Sequence, residues 1–271
     1  MYSSLFGRHA VMATKRQIIC NMKKLLILLA LVAVSTSTLS AKRVRVMSYN
    51  VHNCVGDDGI KSYQRCADII RDAQPDVVAI QEVDSMTTRN ECYVLGEMAK
   101  RAGYHAYYGK TIPYRGGGYG IGVLTKEEAL SVKFHPLPCR KEPRGLLLVE
   151  MKHYYLIATH LSLVKEDQLT SVKIIRDIVE KLDKPVFIAG DMNAKPTSQT
   201  MKAFKKYSKV LNDENKFTFS AKKPRGCIDY ILGANGAFKR VSDYVLYESL
   251  ASDHLPLWVD IKFRRAKKCD K

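Results

Sequence analysis

Acidic residues are scarce in this chain: 27 Asp and Glu stand against 44 Lys and Arg, a formal net charge of +17 over 271 residues. A field of that sign gathers polyanions, so nucleic acid or an anionic lipid surface is favoured over a neutral metabolite. No cysteine pairs with a histidine at zinc-ligand spacing, which argues against a zinc site. The glycine-rich stretch 114–124 lacks the Gly-Lys-Ser/Thr ending of a phosphate cradle and runs into an apolar segment. It reads instead as a flexible loop entering a strand. Ser252 lacks the glycine-flanked elbow of an acyl-transfer serine, and Thr197 with Ser198 reads as a helix cap, so a serine hydrolase is not expected. No Gly/Ser- or Pro-rich linker and no solenoid repeat divides the chain, and its 46% hydrophobic content suits one domain with a substantial core.

The only segment set apart is the N-terminus. Residues 22–41 carry a Met, two lysines, an apolar run over 25–34 and a small-residue region ending at Ala41, the layout of a secretory signal peptide. The run is too short to span a bilayer comfortably. Residues 1–21 read as an upstream extension, with Met22 as the start, and 42–271 as the folded domain. Loss of residues 1–41 removes five basic residues and lowers the net charge from +17 to +12. Cys20 leaves with that segment. Six cysteines remain, Cys54, Cys66, Cys92, Cys139, Cys227 and Cys269, and an oxidising compartment permits disulfides among them. At least one bridge is expected; six cysteines allow fifteen pairings, and the sequence does not choose among these.

What is present is a series of short apolar runs, each bearing a polar group that chemistry uses. They are VRVMSYN at Asn50, DVVAIQE at Glu82, YYLIATH at His160, PVFIAGDMN at Asp191 and Asn193, CIDYIL with Asp229, and the ASDH step at Ser252, Asp253 and His254. Runs of this length read as buried strands, and strands that end in Asp, Asn, Glu or His deliver those groups to one rim of a sheet. A carboxylate after a strand is often only a cap or turn former. A set this rich in carboxylates and imidazoles is costly to bury unless paired or bound to a cation. Oxygen ligands dominate, so the expected ion is magnesium, with manganese or calcium as substitutes, and its usual partner is a phosphate ester. Histidine beside a carboxylate supplies proton transfer near neutral pH.

The order SYN, QEVD, THLS, GDMNA, IDYI and SDHLP resembles the endonuclease/exonuclease/phosphatase superfamily over about residues 43–263. The combination of GDMN and SDH in this order, taken to lie at the C-terminal ends of strands, is the specific part of the likeness. The resemblance implies an α/β (α+β) fold, a four-layered sandwich of two mainly antiparallel sheets flanked by helices. The pattern of alternating strands and helices cannot by itself separate that from a doubly wound parallel sheet. It also implies Glu82 as metal ligand with Asn50 beside it and Asp253 contributing, and Asp191 with Asn193 positioning the attacking water. His254, oriented by Asp229, would contact the scissile phosphate or move a proton, and His160 would be a general acid or phosphate ligand.

His160 argues against the abasic-site endonuclease branch, where tyrosine stands, and GCIDYI lacks the WCDR pattern of the inositol 5-phosphatases. A nuclease is the first expectation, with a sphingomyelinase-like lipid phosphodiesterase or a small phosphate-ester phosphatase as alternatives, and a non-catalytic binding module behind them. Arg144 in EPRG is a candidate phosphate grip, and Arg115 and Tyr119 are candidates at the site rim. No obligate protein partner is evident, and a monomer is expected. Helices are expected over about 62–73, 90–101 and 166–182, with a short one from about 198 to 206.

Overall fold

The computed structural model describes residues 41–247 and 250–265. Residues 1–40 and Cys269 lie outside the described residues, and with them the expectations about an extension and a signal peptide. No helix among the described residues is long and apolar enough to cross a membrane.

The chain runs β1 (Lys42–Asn50), a single 3-10 turn (His52–Cys54), α1 (Tyr63–Ala73), β2 (Val77–Thr87), β3 (Asn90–Tyr93), α2 (Val94–Ala102), β4 (His105–Tyr114) and β5 (Gly117–Thr125). It continues through β6 (Ser131–Leu137), β7 (Arg144–Glu150), β8 (Tyr155–His160), α3 (Lys165–Val179), β9 (Val186–Asp191) and α4 (Gln199–Phe204). β10 (Lys209–Val210), β11 (Asp229–Ala234), β12 (Gly236–Val245) and β13 (Leu257–Arg265) complete it. One sheet has the order β12-β13-β1-β2-β5-β4, with β3 also paired to β2, and the other β10-β11-β9-β8-β7-β6. Within each sheet a single pair is parallel, β1 with β2 and β8 with β9; every other pairing is antiparallel.

Strand alternation builds four layers. Val44, Val46, Val77 and Ala79 face inward and pack against Leu156, Ala158, Phe187 and Ala189 of the opposite sheet. The intervening Met47, Tyr49, Val78 and Ile80 face outward beneath Ile70 of α1 and Leu95 and Met98 of α2. Ile157, Val186 and Ile188 do the same beneath Ile175 of α3 and Phe204 of α4. Both faces of the central strands are therefore buried, which is why they read as unbroken apolar runs rather than as alternating ones.

Local signals set the helix ends. The Ser62 hydroxyl accepts from the Arg65 amide and starts α1, and Gln74 closes it in a left-handed conformation. Ser198 likewise accepts from the Met201 amide to start α4. The helix expected over 90–101 divides, because Asn90 donates to the buried Asp84 carboxylate (2.7 Å) and residues 90–93 pair with β2 before the helix begins. Residues 114–124 are not a flexible loop. They are a tight hairpin whose turn residues Arg115 (φ 43°) and Gly116 (φ 85°) both have positive φ, the geometry that suits the twist of paired strands. The five described cysteines are all free, so the expected disulfide is absent among the described residues.

Candidate active site

The two parallel pairs bring the C-terminal ends of three strands to one edge of the sandwich. Asn50 ends β1, His160 ends β8 and Asp191 ends β9, with His160 directly opposite Asp191 in register. Asp229 also faces Asp191, but from the first residue of β11. His254 precedes β13. The SDH step therefore lies before a strand, not at its C-terminal end, because β11 and β13 run antiparallel to their neighbours and reach the same edge by their starts.

Glu82 arrives by a different route. It lies within β2 at a register shift between Ile80 and Val83 and has φ 58°, so a β-bulge turns its side chain out of the regular alternation. Gly190 permits the closest approach: a Cβ there would sit 1.9 Å from the Thr159 carbonyl oxygen. The glycine of GDMN is thus required for β8 and β9 to lie close enough to set His160 against Asp191.

Hydrogen bonds join these groups across the two sheets. The Asn50 amide donates to Glu82 Oε1 (3.0 Å) and Asp191 Oδ2 (3.2 Å). Asp191 Oδ2 lies 3.5 Å from His160 Nε2 and 3.6 Å from His254 Nε2, and its Oδ1 accepts from the Asn193 backbone amide (2.8 Å). His254 Nδ1 donates to Asp229 Oδ2 at 2.9 Å. The other carboxylate oxygen, Asp229 Oδ1, is buried with no hydrogen-bond partner. Asn193 donates to His160 Nε2 (3.0 Å), and Arg144 Nη1 lies 3.4 Å from the other ring nitrogen.

Electrostatics separate the two imidazoles. Burial alone pushes the His254 pKa down, but Asp229, through charge and hydrogen bond, with Asp191 and Asp253, lifts it to about 10, so His254 is a cation. Burial and the Arg144 guanidinium lower His160 to about 3, so it is neutral and faces nitrogen donors on both sides. Burial and the neighbouring Asp229 raise Asp191 to about 7. Burial also acts to raise Glu82, yet hydrogen bonds from Asn50 and Tyr119 and the His254 cation together hold its carboxyl below the ordinary value.

The remaining candidates divide. Tyr119 reaches the cluster through its hydrogen bond to Glu82. Arg144 reaches it beside His160, with Glu142 as its ion partner and with its buried Nε unpartnered. Asp253 is half-buried at the edge, 3.6 Å from His52 Nδ1, and burial raises its pKa. Arg115 is not brought in: it is exposed at the hairpin tip with its guanidinium 5.4 Å above the Tyr114 ring. Its place is taken by Arg89, which sequence reasoning passed over. Arg89 grips the fully buried Asp84 with two bonds (2.6 and 2.9 Å) and stacks over Tyr114 (4.5 Å) and Tyr119 (5.4 Å). The signal for it was Asp84, a carboxylate in the middle of an apolar strand, which demands a cation. Phe219, also passed over, lies 4.6 Å from the His254 ring.

Asp191, Asp229 and the His254 ring lie with an atom of each within 4.8 Å of the others, and Asn50 and Glu82 join the same cluster; the His254 cation has no lone pair for a metal, so the carboxylates and the Asn50 amide oxygen are the ligand candidates. An oxygen-rich set with an unpartnered buried carboxylate oxygen fits a hard divalent cation.

Comparisons with known proteins bear on the family and the fold. Residues 47–254 match the model of the Endonuclease/Exonuclease/phosphatase family. An endonuclease/exonuclease/phosphatase from Beutenbergia cavernae superposes with a TM-score of 0.70 at 25% identity, covering 82% of this chain and 72% of that one. A mannosyl-6-phosphatase from Bacteroides thetaiotaomicron (TM-score 0.63, 18% identity, 80% and 99% covered) shares the fold. So does the human Nocturnin catalytic domain with bound sulfate anion (TM-score 0.64, 19% identity, 82% and 93% covered). No curated protein matches the sequence.

Proposed function

The chain belongs to the endonuclease/exonuclease/phosphatase family, and we propose that this phosphoesterase is an exported, magnesium-dependent phosphodiesterase that acts on nucleic acid by in-line attack of water. The observation that carries the chemistry is the convergence of Asn50, Glu82, Asp191, Asp229 and His254 with one buried carboxylate oxygen left unpartnered. Glu82 with Asn50, and Asp253 from the edge, would hold magnesium, manganese or calcium. A bound divalent cation neutralises charge that builds on phosphate oxygens and makes a coordinated water more acidic.

The protein's own groups account for the rest. Asn193 and the Asp191 carboxylate fix the water behind phosphorus. Asp191, with a pKa near 7, takes the water's proton as the oxygen attacks. The P–O bond opposite the attacking oxygen breaks, its electrons leave with the departing oxygen, which takes a proton from solvent to become the alcohol, and no covalent enzyme intermediate forms. The His254 cation, held by Asp229, sets a positive charge against the phosphoryl oxygens as they gain charge. Arg144 presents its unpartnered Nε–H as a further phosphate donor, while neutral His160 accepts from the Asn193 amide and keeps it in place.

The strongly basic balance supports nucleic acid as the anionic substrate, and the layout of residues 22–41 supports export. The direct test is hydrolysis by residues 42–271, with magnesium and with chelator, of DNA, RNA, sphingomyelin and a phosphomonoester panel, beside Asp191→Ala. Metal- and Asp191-dependent cleavage of nucleic acid is expected. Turnover confined to lipid or monoester would replace the substrate, and chelator-resistant turnover would remove the metal. Cell fractionation of the full chain tests export, which a cytoplasmic product of uncut length would refute.

A further inference from the structure

Between β10 and β11 the chain makes an excursion whose outer part carries aromatic rings interleaved with cations. Phe217 and Phe219 are 42% and 38% exposed. Lys222, Lys223 and Arg225 are exposed as well, and none of the three has an acidic partner within ion-pair distance among the described residues. The segment is nonetheless fixed to the catalytic pair. Phe219 forms a backbone bridge with His254, and its ring lies 4.6 Å from the imidazole at 43°. The Ala221 amide donates to the Asp253 carbonyl (2.7 Å) and the Leu255 amide to the Thr218 carbonyl (2.8 Å). The Thr218 hydroxyl accepts from the amides of Ile228 (3.2 Å) and Asp229 (3.3 Å). Asp229 and His254 are thus both tied to it.

Such a surface has a definite chemical complement. Unpaired cations call for several anionic groups, and an exposed ring beside the phosphate-facing imidazole calls for a flat apolar face one sugar away from the phosphate. Unpaired bases on a phosphate backbone supply both, whereas a duplex buries its base faces in its own stack. An anionic lipid surface supplies the charge, but a ring pinned against His254 is not free to insert among acyl chains. We propose that residues 217–225 are the recognition surface for single-stranded nucleic acid, with one base stacked on Phe219 and flanking phosphates met by Lys222, Lys223 and Arg225. This rests on the phosphodiesterase reading and narrows its substrate from nucleic acid in general to the unpaired strand.

The test is fluorescence anisotropy with the full domain carrying Asp191→Asn to prevent turnover. The probes are a labelled single-stranded 12-mer, the same sequence as duplex, inorganic polyphosphate, and vesicles of phosphatidylserine and sphingomyelin. The single strand is expected to bind tightest. Phe219→Ala should weaken it about 5- to 100-fold, while Phe219→Tyr, which keeps a ring in place, retains binding. Lys222→Ala, Lys223→Ala and Arg225→Ala together should weaken it about tenfold or more and flatten the dependence of log K on log salt by about 2. Equal binding of duplex or polyphosphate, preference for vesicles, or loop variants that bind like the parent would overturn the assignment. Hydrolysis of bis(p-nitrophenyl) phosphate by the unmodified domain, with Asp191→Ala as control, separates the two levels. Turnover there without single-strand preference sinks the recognition surface alone, and absence of Asp191-dependent turnover sinks the phosphodiesterase reading beneath it.

Discussion

Replacing Asp229 by asparagine removes one charge from the site and changes the size of the side chain little. In the native protein His254 Nδ1 donates to Asp229 Oδ2 at 2.9 Å, both groups are buried, and the imidazole pKa stands at about 10 against an ordinary 6.5. That difference corresponds to roughly 5 kcal/mol in favour of the cation. The folded-state value lies above the unfolded one, so the contribution is complete below about pH 6.5 and is lost as pH rises toward 10. Asp229→Asn also relieves Asp191, whose pKa Asp229 helps to raise, and this offsets part of the loss. Breaking a buried ion pair costs about 3–5 kcal/mol, and the offset places the expected destabilisation at pH 7 near about 3 kcal/mol. Turnover should fall by about 100-fold or more if the His254 cation faces the phosphate. Urea unfolding at pH 6, 8 and 10 reads the stability, and NMR titration of the His254 ring reads its protonation. Convergence of variant and parent stabilities toward pH 10 is expected. A variant whose His254 remains protonated at pH 8, or which keeps more than a tenth of the turnover, would refute the reasoning.

Three other outcomes follow from the same geometry. Tyr119→Phe removes a hydrogen bond to Glu82, and Arg89→Met leaves Asp84 buried without its cation; the first should weaken magnesium binding by calorimetry with little change in unfolding midpoint, and the second should cost about 3–5 kcal/mol in urea. Equal stability losses in both would show that Tyr119 acts only through packing. Gly190→Ala would place a Cβ 1.9 Å from the Thr159 carbonyl oxygen, forcing β8 and β9 apart; a destabilisation of about 1–3 kcal/mol or more is expected, accompanied by loss of turnover, and a fully active variant of normal stability would contradict the strand spacing. Alkylation of the native protein should label Cys92 and Cys139 well before Cys54, Cys66 and Cys227, which are buried. Burial also pushes the Cys227 thiol up to about 12. Mass spectrometry after brief exposure to iodoacetamide distinguishes the two groups, and early labelling of Cys227 would contradict its burial.

Most of the cluster was legible because strand ends are written plainly in this sequence. VRVMSYN, YYLIATH and PVFIAGD each bury both faces, so each reads as an apolar run, and the polar residue that follows must emerge at an edge. The sheet partnership was not legible. Both-face burial looks the same in a doubly wound parallel sheet, and the distinction rests on β-pairings far apart in sequence, such as Lys42 opposite Phe263. Strand direction was misjudged for the SDH step for the same reason. A residue before a strand and a residue after one reach the same edge when the strands are antiparallel, and only the pairing tells which applies.

Glu82 and Arg89 mark where local pattern stops carrying information. Glu82 stands where regular alternation would bury it between layers, and it faces the site because β2 bulges at that position. The bulge is made jointly with β5 and leaves no mark in the motif QEVD itself. Two residues on, Asp84 resumes the alternation and is fully buried, which obliges the chain to return a cation to it; Arg89 does so from the turn between β2 and β3 and in passing covers Tyr119. Tyr119 then closes the circuit by donating to Glu82. A strained carboxylate at the bulge is thus braced through β2, β3 and β5 rather than through the opposite sheet, whereas Asn50 ties it across the sandwich to Asp191. The two anchors restrain one and the same carboxylate from different sides. Combining Tyr119→Phe with Asn50→Ala should therefore cost more in metal affinity than the sum of the separate losses, because either anchor alone limits the rotation of Glu82. Strictly additive losses in calorimetric titrations with magnesium would show that the two hydrogen bonds do not act on one shared freedom.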